Sequence, residues 1–82
     1  MSAAAEFVVI DDIPLPVDPD TPRLYSVNVP GNVHRAVGYL NQHLPELIPG
    51  LIQIEFVGTH TSVAVIRATP AQVEKAKKEG RW

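Results

Sequence analysis

The clearest pattern of hydrophobic and polar positions lies between Leu51 and Thr69, which reads LIQIEFVGTHTSVAVIRAT. Its first half alternates with a period of two, as a half-buried strand does, and its second half is rich in β-branched residues. A short polar segment that contains Gly58 separates the two halves. The pattern therefore predicts a β-hairpin.

Two further strands are predicted before this hairpin. Phe7–Ile10 is a short apolar run that stops at two aspartates, and Leu24–Val29 alternates until Pro30. Residues 13–23, which join them, form a proline-rich connecting arm with four prolines. Because proline lacks an amide donor and restrains the residue before it, we expect this arm to be extended and to lie on the surface.

The first of two predicted helices follows the second strand. Asn32 is its expected N-cap, and the helix is expected to end by Leu44, because Pro45 disfavours helical geometry in the residue before it. Its apolar stripe comprises Val33, Ala36, Val37, Leu40 and Leu44.

The second helix is predicted from a capping box formed by Thr69 and Gln72. Pro70 suits the first helical position, since its missing N–H would have no helical partner there. Gly80 is expected to end the helix, which leaves residues 80–82 as a tail.

The element order β-β-α-β-β-α predicts one small α+β domain over residues 1–82. From Leu24 onward the elements match the first five of a ferredoxin-like layout, and Phe7–Ile10 can supply the missing strand beside Leu24–Val29. We therefore expect a permuted ferredoxin-like sandwich, with a four-stranded antiparallel sheet and two helices on one face. The alternative is that the first strand pairs with a neighbouring subunit through the arm.

Alternation along the strands also assigns side chains to the two faces of the sheet. The face toward the helices is expected to carry Tyr25, Val27, Val29, Ile52, Ile54, Phe56, Ala64 and Ile66. The opposite face is expected to carry Phe7, Val9, Leu24, Val57, Val63 and Val65. So large an apolar patch predicts a homodimer packed sheet to sheet, and the alternative is that the arm or the tail covers it.

Composition excludes some classes of protein and favours others. The 82 residues contain no cysteine, so disulfides and cysteine-based zinc sites are excluded. The net charge of −2 is too small to indicate a nucleic acid or an anionic membrane as partner. No apolar run approaches the roughly 20 residues of a membrane span, and the first residues lack the basic flank of a signal peptide. We expect a cytoplasmic location.

The histidines and carboxylates do not form a recognisable catalytic or metal site. His34 and His43 lie on opposite flanks of the first helix, and His60 lies in the hairpin turn. Asp11 and Asp12 are adjacent on an extended segment and so point in opposite directions. Asp18 and Asp20 flank a proline, and their spacing favours a turn in which Asp side chains bond nearby amides. We predict no catalytic residue, no metal and no cofactor.

Three features suggest recognition of a partner instead. Gly38 interrupts a helix, Tyr39 is expected to face outward beside Arg35 and Gln42, and Trp82 is a large apolar residue at the terminus. With the valines of the outward sheet face, the candidate partner-binding residues are Arg35, Tyr39, Gln42, Val57, Val63, Val65 and Trp82.

These observations predict a non-enzymatic protein–protein interaction module that self-associates through the open sheet face. One alternative is a regulatory domain that binds a small molecule at a subunit interface or a helix–sheet interface. A small enzyme is the third class, and the absence of a convergent polar cluster in the sequence argues against it.

Overall fold

The computed structural model describes residues 6–14 and 18–79 and shows a small α+β fold. Its elements are strands β1 (Phe7–Val9), β2 (Arg23–Pro30), β3 (Leu51–Phe56) and β4 (Thr61–Ala68), and helices α1 (Val33–His43) and α2 (Pro70–Glu79). The strands form one antiparallel sheet in the order β1-β2-β4-β3, and a 3₁₀ helix, Pro45–Gly50, connects α1 to β3. The predicted tail at 80–82 lies outside the described residues.

The core lies between the two helices and one face of the sheet, here called the inner face. Alternate residues of the two central strands are buried there, as their alternation predicts, because successive side chains of a strand point to opposite faces. The strands contribute Tyr25, Val27, Val29, Ala64, Ile66 and Ala68, and the helices contribute Ala36, Leu40, Val73 and Ala76.

β1 presents the opposite side chains from those predicted. Phe7 pairs with Val27 and Val9 pairs with Tyr25, so Phe7 and Val9 lie on the inner face. Phe7 is buried, and its ring meets that of Tyr25 edge to face with 6.1 Å between the centroids. The prediction that placed Phe7 and Val9 on the outer face is wrong, because a three-residue strand joined to its neighbour by so long a connection carries no register signal in its sequence.

β3 contributes less to the core than its alternation predicts. Ile54 packs against the core, but Ile52 is 58% exposed and Phe56 is 44% exposed. Phe56 pairs with Ser62 and so lies on the inner face as predicted, but neither Phe56 nor Ile52 is buried there. The cause is the position of β3 at the edge of the sheet. A bulge between Leu51 and Gln53 also makes Ile52 an extra residue that β4 does not match.

The helix boundaries follow the predicted capping residues. The Asn32 side chain accepts a hydrogen bond from the Arg35 amide at 3.0 Å, as an N-cap does. Thr69 and Gln72 form the reciprocal capping box, with bonds of 2.9 and 3.1 Å. The predicted stripe of α1 is only partly buried, since Val33 and Val37 are 37% and 38% exposed.

Residues 13, 14 and 18–22 of the predicted arm lack regular structure, whereas Arg23 belongs to β2 and is buried, so the predicted end of the arm at 23 is wrong. One turn in the arm was predicted. The Asp18 carboxylate accepts a hydrogen bond from the Asp20 amide at 2.8 Å, and its carbonyl accepts one from the Thr21 amide at 3.0 Å. The Ala71 amide donates to the Pro19 carbonyl at 3.2 Å, which holds this turn against the start of α2.

Candidate functional site

The outer face of the sheet is the face that neither helix covers. Strand register places four apolar side chains on it, and they alternate with polar ones from the same strands. It carries chiefly Val8, Leu24, Ser26, Asn28, Gln53, Glu55, Val63, Val65 and Arg67. The face is therefore a mixed surface with an apolar centre.

Two of the predicted partner-binding valines lie in the middle of this face. Val63 and Val65 belong to the central strand β4, and their side chains are half-buried. Val63 pairs with Asn28 of β2, and Val65 pairs with Ser26. Val57 lies in the turn after β3 and is 56% exposed, and its amide donates to the Thr61 carbonyl at 3.0 Å. Alternation correctly placed Val63 and Val65 on the outer face.

The outer face carries one basic and one acidic side chain at separate positions. Arg67 lies near the end of β4, and Glu55 pairs with Val63, four residues earlier in that strand. At the rise of a β-strand, four residues correspond to about 13 Å. Both side chains are exposed, and neither has an ion-pair partner among residues 6–14 and 18–79.

The predicted patch on α1 is brought together, but its aromatic residue is not displayed as expected. Arg35 and Gln42 are exposed, whereas Tyr39 is half-buried and packs against the core. The Tyr39 ring stacks on His43, with 4.7 Å between the centroids and 29° between the planes. A Cβ at Gly38 would have nothing within 4 Å, so no described part of this chain approaches closely there. Trp82 lies outside the described residues.

The structure shows a polar cluster between the arm and β2 that was not predicted from the sequence. Asp11 and Arg23 form an ion pair of 2.8 Å, although their side chains are only 10% and 9% exposed. The same carboxylate accepts a hydrogen bond from the Leu24 amide at 2.9 Å, and the Arg23 guanidinium also donates to the Ile13 carbonyl at 3.2 Å. This cluster fixes the end of β1 and the start of the arm against β2.

Hydrogen bonding accounts for the titration of this pair. The hydrogen bond from Arg23 is the largest influence on Asp11 and lowers the pKa of that carboxyl, and the amides of Leu24 and Ile13 act in the same direction. The same bond raises the pKa of Arg23. A stable, fully ionised pair is suited to holding structure rather than to exchanging protons near neutral pH.

One signal in the sequence could have revealed the pair. Arg23 precedes Tyr25, Val27 and Val29 with the same parity, so extending the strand by one residue would place a charge on its inner face. An inward charge requires a partner, and Asp11 follows directly after β1, the strand predicted to lie beside β2.

An open cleft of about 210 Å³ lies next to this pair. Its two charged groups of opposite sign already bind each other, which leaves Arg67 as the group in it able to meet an anion. The cleft is lined by Asp11, Ile13, Pro22, Arg23, Leu24 and Arg67.

Comparison of the chain with protein-family models, with curated proteins and with solved structures finds no match. The site must therefore be interpreted from its own geometry.

Among residues 6–14 and 18–79, no three histidine or acidic side chains lie close enough together to hold a metal ion. None of the helices described is long and apolar enough to cross a membrane.

Proposed function

We propose that this protein is a small non-enzymatic protein–protein interaction module that self-associates through the outer face of its sheet. The observation that carries the proposal is the apolar centre of that face, where Val63 and Val65 of a central strand lie with Leu24 beside them. Both helices bury their apolar residues on the other face. A second copy of the same face would remove this apolar surface from water.

The charges on the outer face are suited to two-fold symmetry. In a symmetric dimer, the same surface of both copies forms the contact. A two-fold axis between the stacked sheets can place Arg67 over Glu55 of the second copy, and the same rotation then places Glu55 over the second Arg67. Val65 lies midway along β4 between Val63, the neighbour of Glu55, and Arg67, so it would meet Val65 of the second copy. Both free charges of the face would thus gain partners.

We further propose that the fold is a circularly permuted ferredoxin-like sandwich. The strand order supports this, because β1 occupies the place beside β2 that the final strand takes in the unpermuted layout. A cytoplasmic location stays our prediction, and the cysteine-free sequence is compatible with a reducing compartment.

The small-molecule alternative would use the cleft beside Arg67. A carboxylate ligand could contact this guanidinium, with Leu24 and Ile13 as apolar neighbours. The cleft is open, and a small-molecule site is usually enclosed and has several convergent polar groups. The outer face is therefore the better supported site.

A charge-reversal cycle tests the proposed dimer. Arg67→Glu and Glu55→Arg each place like charges opposite one another and are expected to raise the dimer dissociation constant at least about tenfold. The variant that carries both changes restores opposite charges and is expected to recover the association. Sedimentation equilibrium gives the constants, and far-UV circular dichroism checks the fold. Equal constants for all four proteins would exclude this face and this orientation.

A further inference from the structure

The free edge of β3 carries hydrogen-bonding groups that the sheet does not use. The Val57 amide donates to the Thr61 carbonyl, which makes this a hydrogen-bonded pair. In an antiparallel ladder, hydrogen-bonded residue pairs alternate with pairs that are not hydrogen-bonded, so every second residue faces its partner strand. Gln53 and Glu55, which are four and two residues before Val57, therefore also direct their backbone groups toward β4. The N–H and C=O groups of Ile54 and Phe56 therefore point away from the sheet, and they have no backbone partner in the described chain.

Exposed apolar side chains lie along the same edge. Ile52 and Phe56 are 58% and 44% exposed. β2 and β3 are parallel strands joined through α1, and such connections are right-handed as a rule. From that hand we infer that the Val33 and Val37 flank of α1 lies on the side of the free edge of β3. Both valines are more than a third exposed, and no strand among residues 6–14 and 18–79 continues the sheet on that side. We call Val33, Val37, Ile52 and Phe56 the β3 edge strip.

We propose that β3 pairs antiparallel with β3 of a second copy of this chain, around a two-fold axis at Ile54. The two sheets then form one continuous sheet. In this register Ile54 meets Ile54 of the second copy, and Ile52 meets Phe56 of the second copy. The free backbone groups of both edges are satisfied, and the two edge strips cover each other.

Charge favours a second copy and selects this register. With the axis at Ile54, Gln53 lies opposite Glu55 of the second copy, so an amide can donate to a carboxylate at two symmetric places. Moving the axis to Glu55 would place Glu55 opposite Glu55 of the second copy, where like charges repel, and moving it to Gln53 would place Glu55 opposite Leu51, which offers no side-chain donor. Residues 51–57 contain no lysine, arginine or proline, so the protection of this edge is limited to the bulge at Ile52 and the charge of Glu55.

This contact differs from the proposed dimer through the outer face, although Glu55 belongs to both. The edge contact uses the backbone of β3 and the side chains of the edge strip, whereas the outer-face contact is centred on Val65 in β4. Substitutions at Phe56 and at Arg67 each affect one contact only, so the two can be tested separately in the same protein.

Disulfide trapping tests the edge contact, because the chain has no cysteine of its own. Chains that carry Gln53→Cys are mixed with tagged chains that carry Glu55→Cys and are then oxidised mildly. These positions form a non-hydrogen-bonded cross-strand pair, in which side chains are closest. The mixture is expected to give a disulfide-linked pair at least about tenfold faster than Val9→Cys chains, which report random collisions from the opposite edge of the sheet.

Val65→Cys chains, oxidised in parallel, report the outer face. Trapping at 53 with 55 but not at 65 would support the edge contact and reject the outer-face dimer, and the reverse result would reject the edge contact alone. Equal rates for the mixture and for Val9→Cys would overturn the edge contact.

Lysine substitutions give a second measurement. Phe56→Lys is expected to weaken association by at least about tenfold, because it places a charge in the edge strip. Val9→Lys is the matched control, since Val9 is 43% exposed and Phe56 is 44% exposed. Equal association constants for the two variants would contradict the edge contact.

Discussion

At the scale of single residues, Asp11 and Arg23 form a largely buried ion pair. It joins residues that are separated by the proline-rich arm, and each side chain is at most 10% exposed. Breaking a buried pair leaves an uncompensated charge, which costs more than the intact pair contributes. The pair therefore holds β1 in its place beside β2.

Asp11→Asn is expected to lower the urea midpoint of unfolding at neutral pH, because Arg23 then lacks its ionic partner. Asp12→Asn is the matched control, since Asp12 is the exposed neighbour and forms no ion pair within the described ranges. Circular dichroism during urea titration measures both variants. Equal midpoints for the two would show that the pair does not stabilise the fold.

The lowered pKa of Asp11 also predicts how stability depends on pH. Because the folded-state pKa lies below the ordinary value of 3.8, the ionised pair contributes its full stability above that value. This contribution is lost as the pH falls further, through the folded-state pKa. The stability difference between the native chain and Asp11→Asn is therefore expected to stay constant above pH 3.8 and to shrink as the pH falls below it, because the carboxylate is then protonated. A constant difference would contradict this assignment.

At the scale of elements, two glycines have opposite roles. A Cβ at Gly50 would overlap the carbonyl of Arg67, so the end of the 3₁₀ helix lies directly against β4. Gly38 is exposed within α1, and a Cβ there would meet nothing.

Gly50→Ala is expected to destabilise the fold by about 1–3 kcal/mol, because β4 must shift to accommodate the methyl group. Gly38→Ala is expected to stabilise it by about 1 kcal/mol, because alanine is the better helix former. Urea unfolding measures both changes. Equal effects of the two substitutions would contradict the packing at Gly50. Weaker self-association of Gly38→Ala would indicate that a second copy approaches α1 at that position.

The sequence predicted the elements that local signals determine. The period of two gave the hairpin, and the side chains of Asn32, Thr69 and Gln72 gave the starts of both helices. It could not predict the side of β1 that faces the core, because register depends on pairing with β2 across the arm. It placed Phe56 on the inner face but could not predict its exposure, because alternation does not reveal that an edge strand has few neighbours.

In the candidate site, too, the sequence predicted what local patterns determine and missed what depends on tertiary contacts. Alternation placed Val63 and Val65 on the outer face, since both belong to a regular central strand. The ion pair of Asp11 and Arg23 depends on a tertiary contact, which no local sequence pattern predicts. The free edge of β3 depends on strand order, which no local pattern predicts either.

At the scale of the whole molecule, the outer face and the β3 edge strip are two exposed surfaces with apolar side chains, and a second copy could cover either of them. A chain of 82 residues buries a smaller share of its surface than a larger domain, so association can add materially to its stability. The outer face places Arg67 and Glu55 at positions that a two-fold axis exchanges, and the β3 edge places Gln53 opposite Glu55 of a second copy. Both surfaces are self-complementary, which is the property that symmetric assembly requires.

Sedimentation equilibrium of the unmodified chain across a wide concentration range tests self-association most directly. The mass is expected to rise with concentration from that of one chain to at least that of two. Arg67→Glu and Phe56→Lys are each expected to shift this rise to higher concentration. A mass of one chain at every concentration would contradict the central claim.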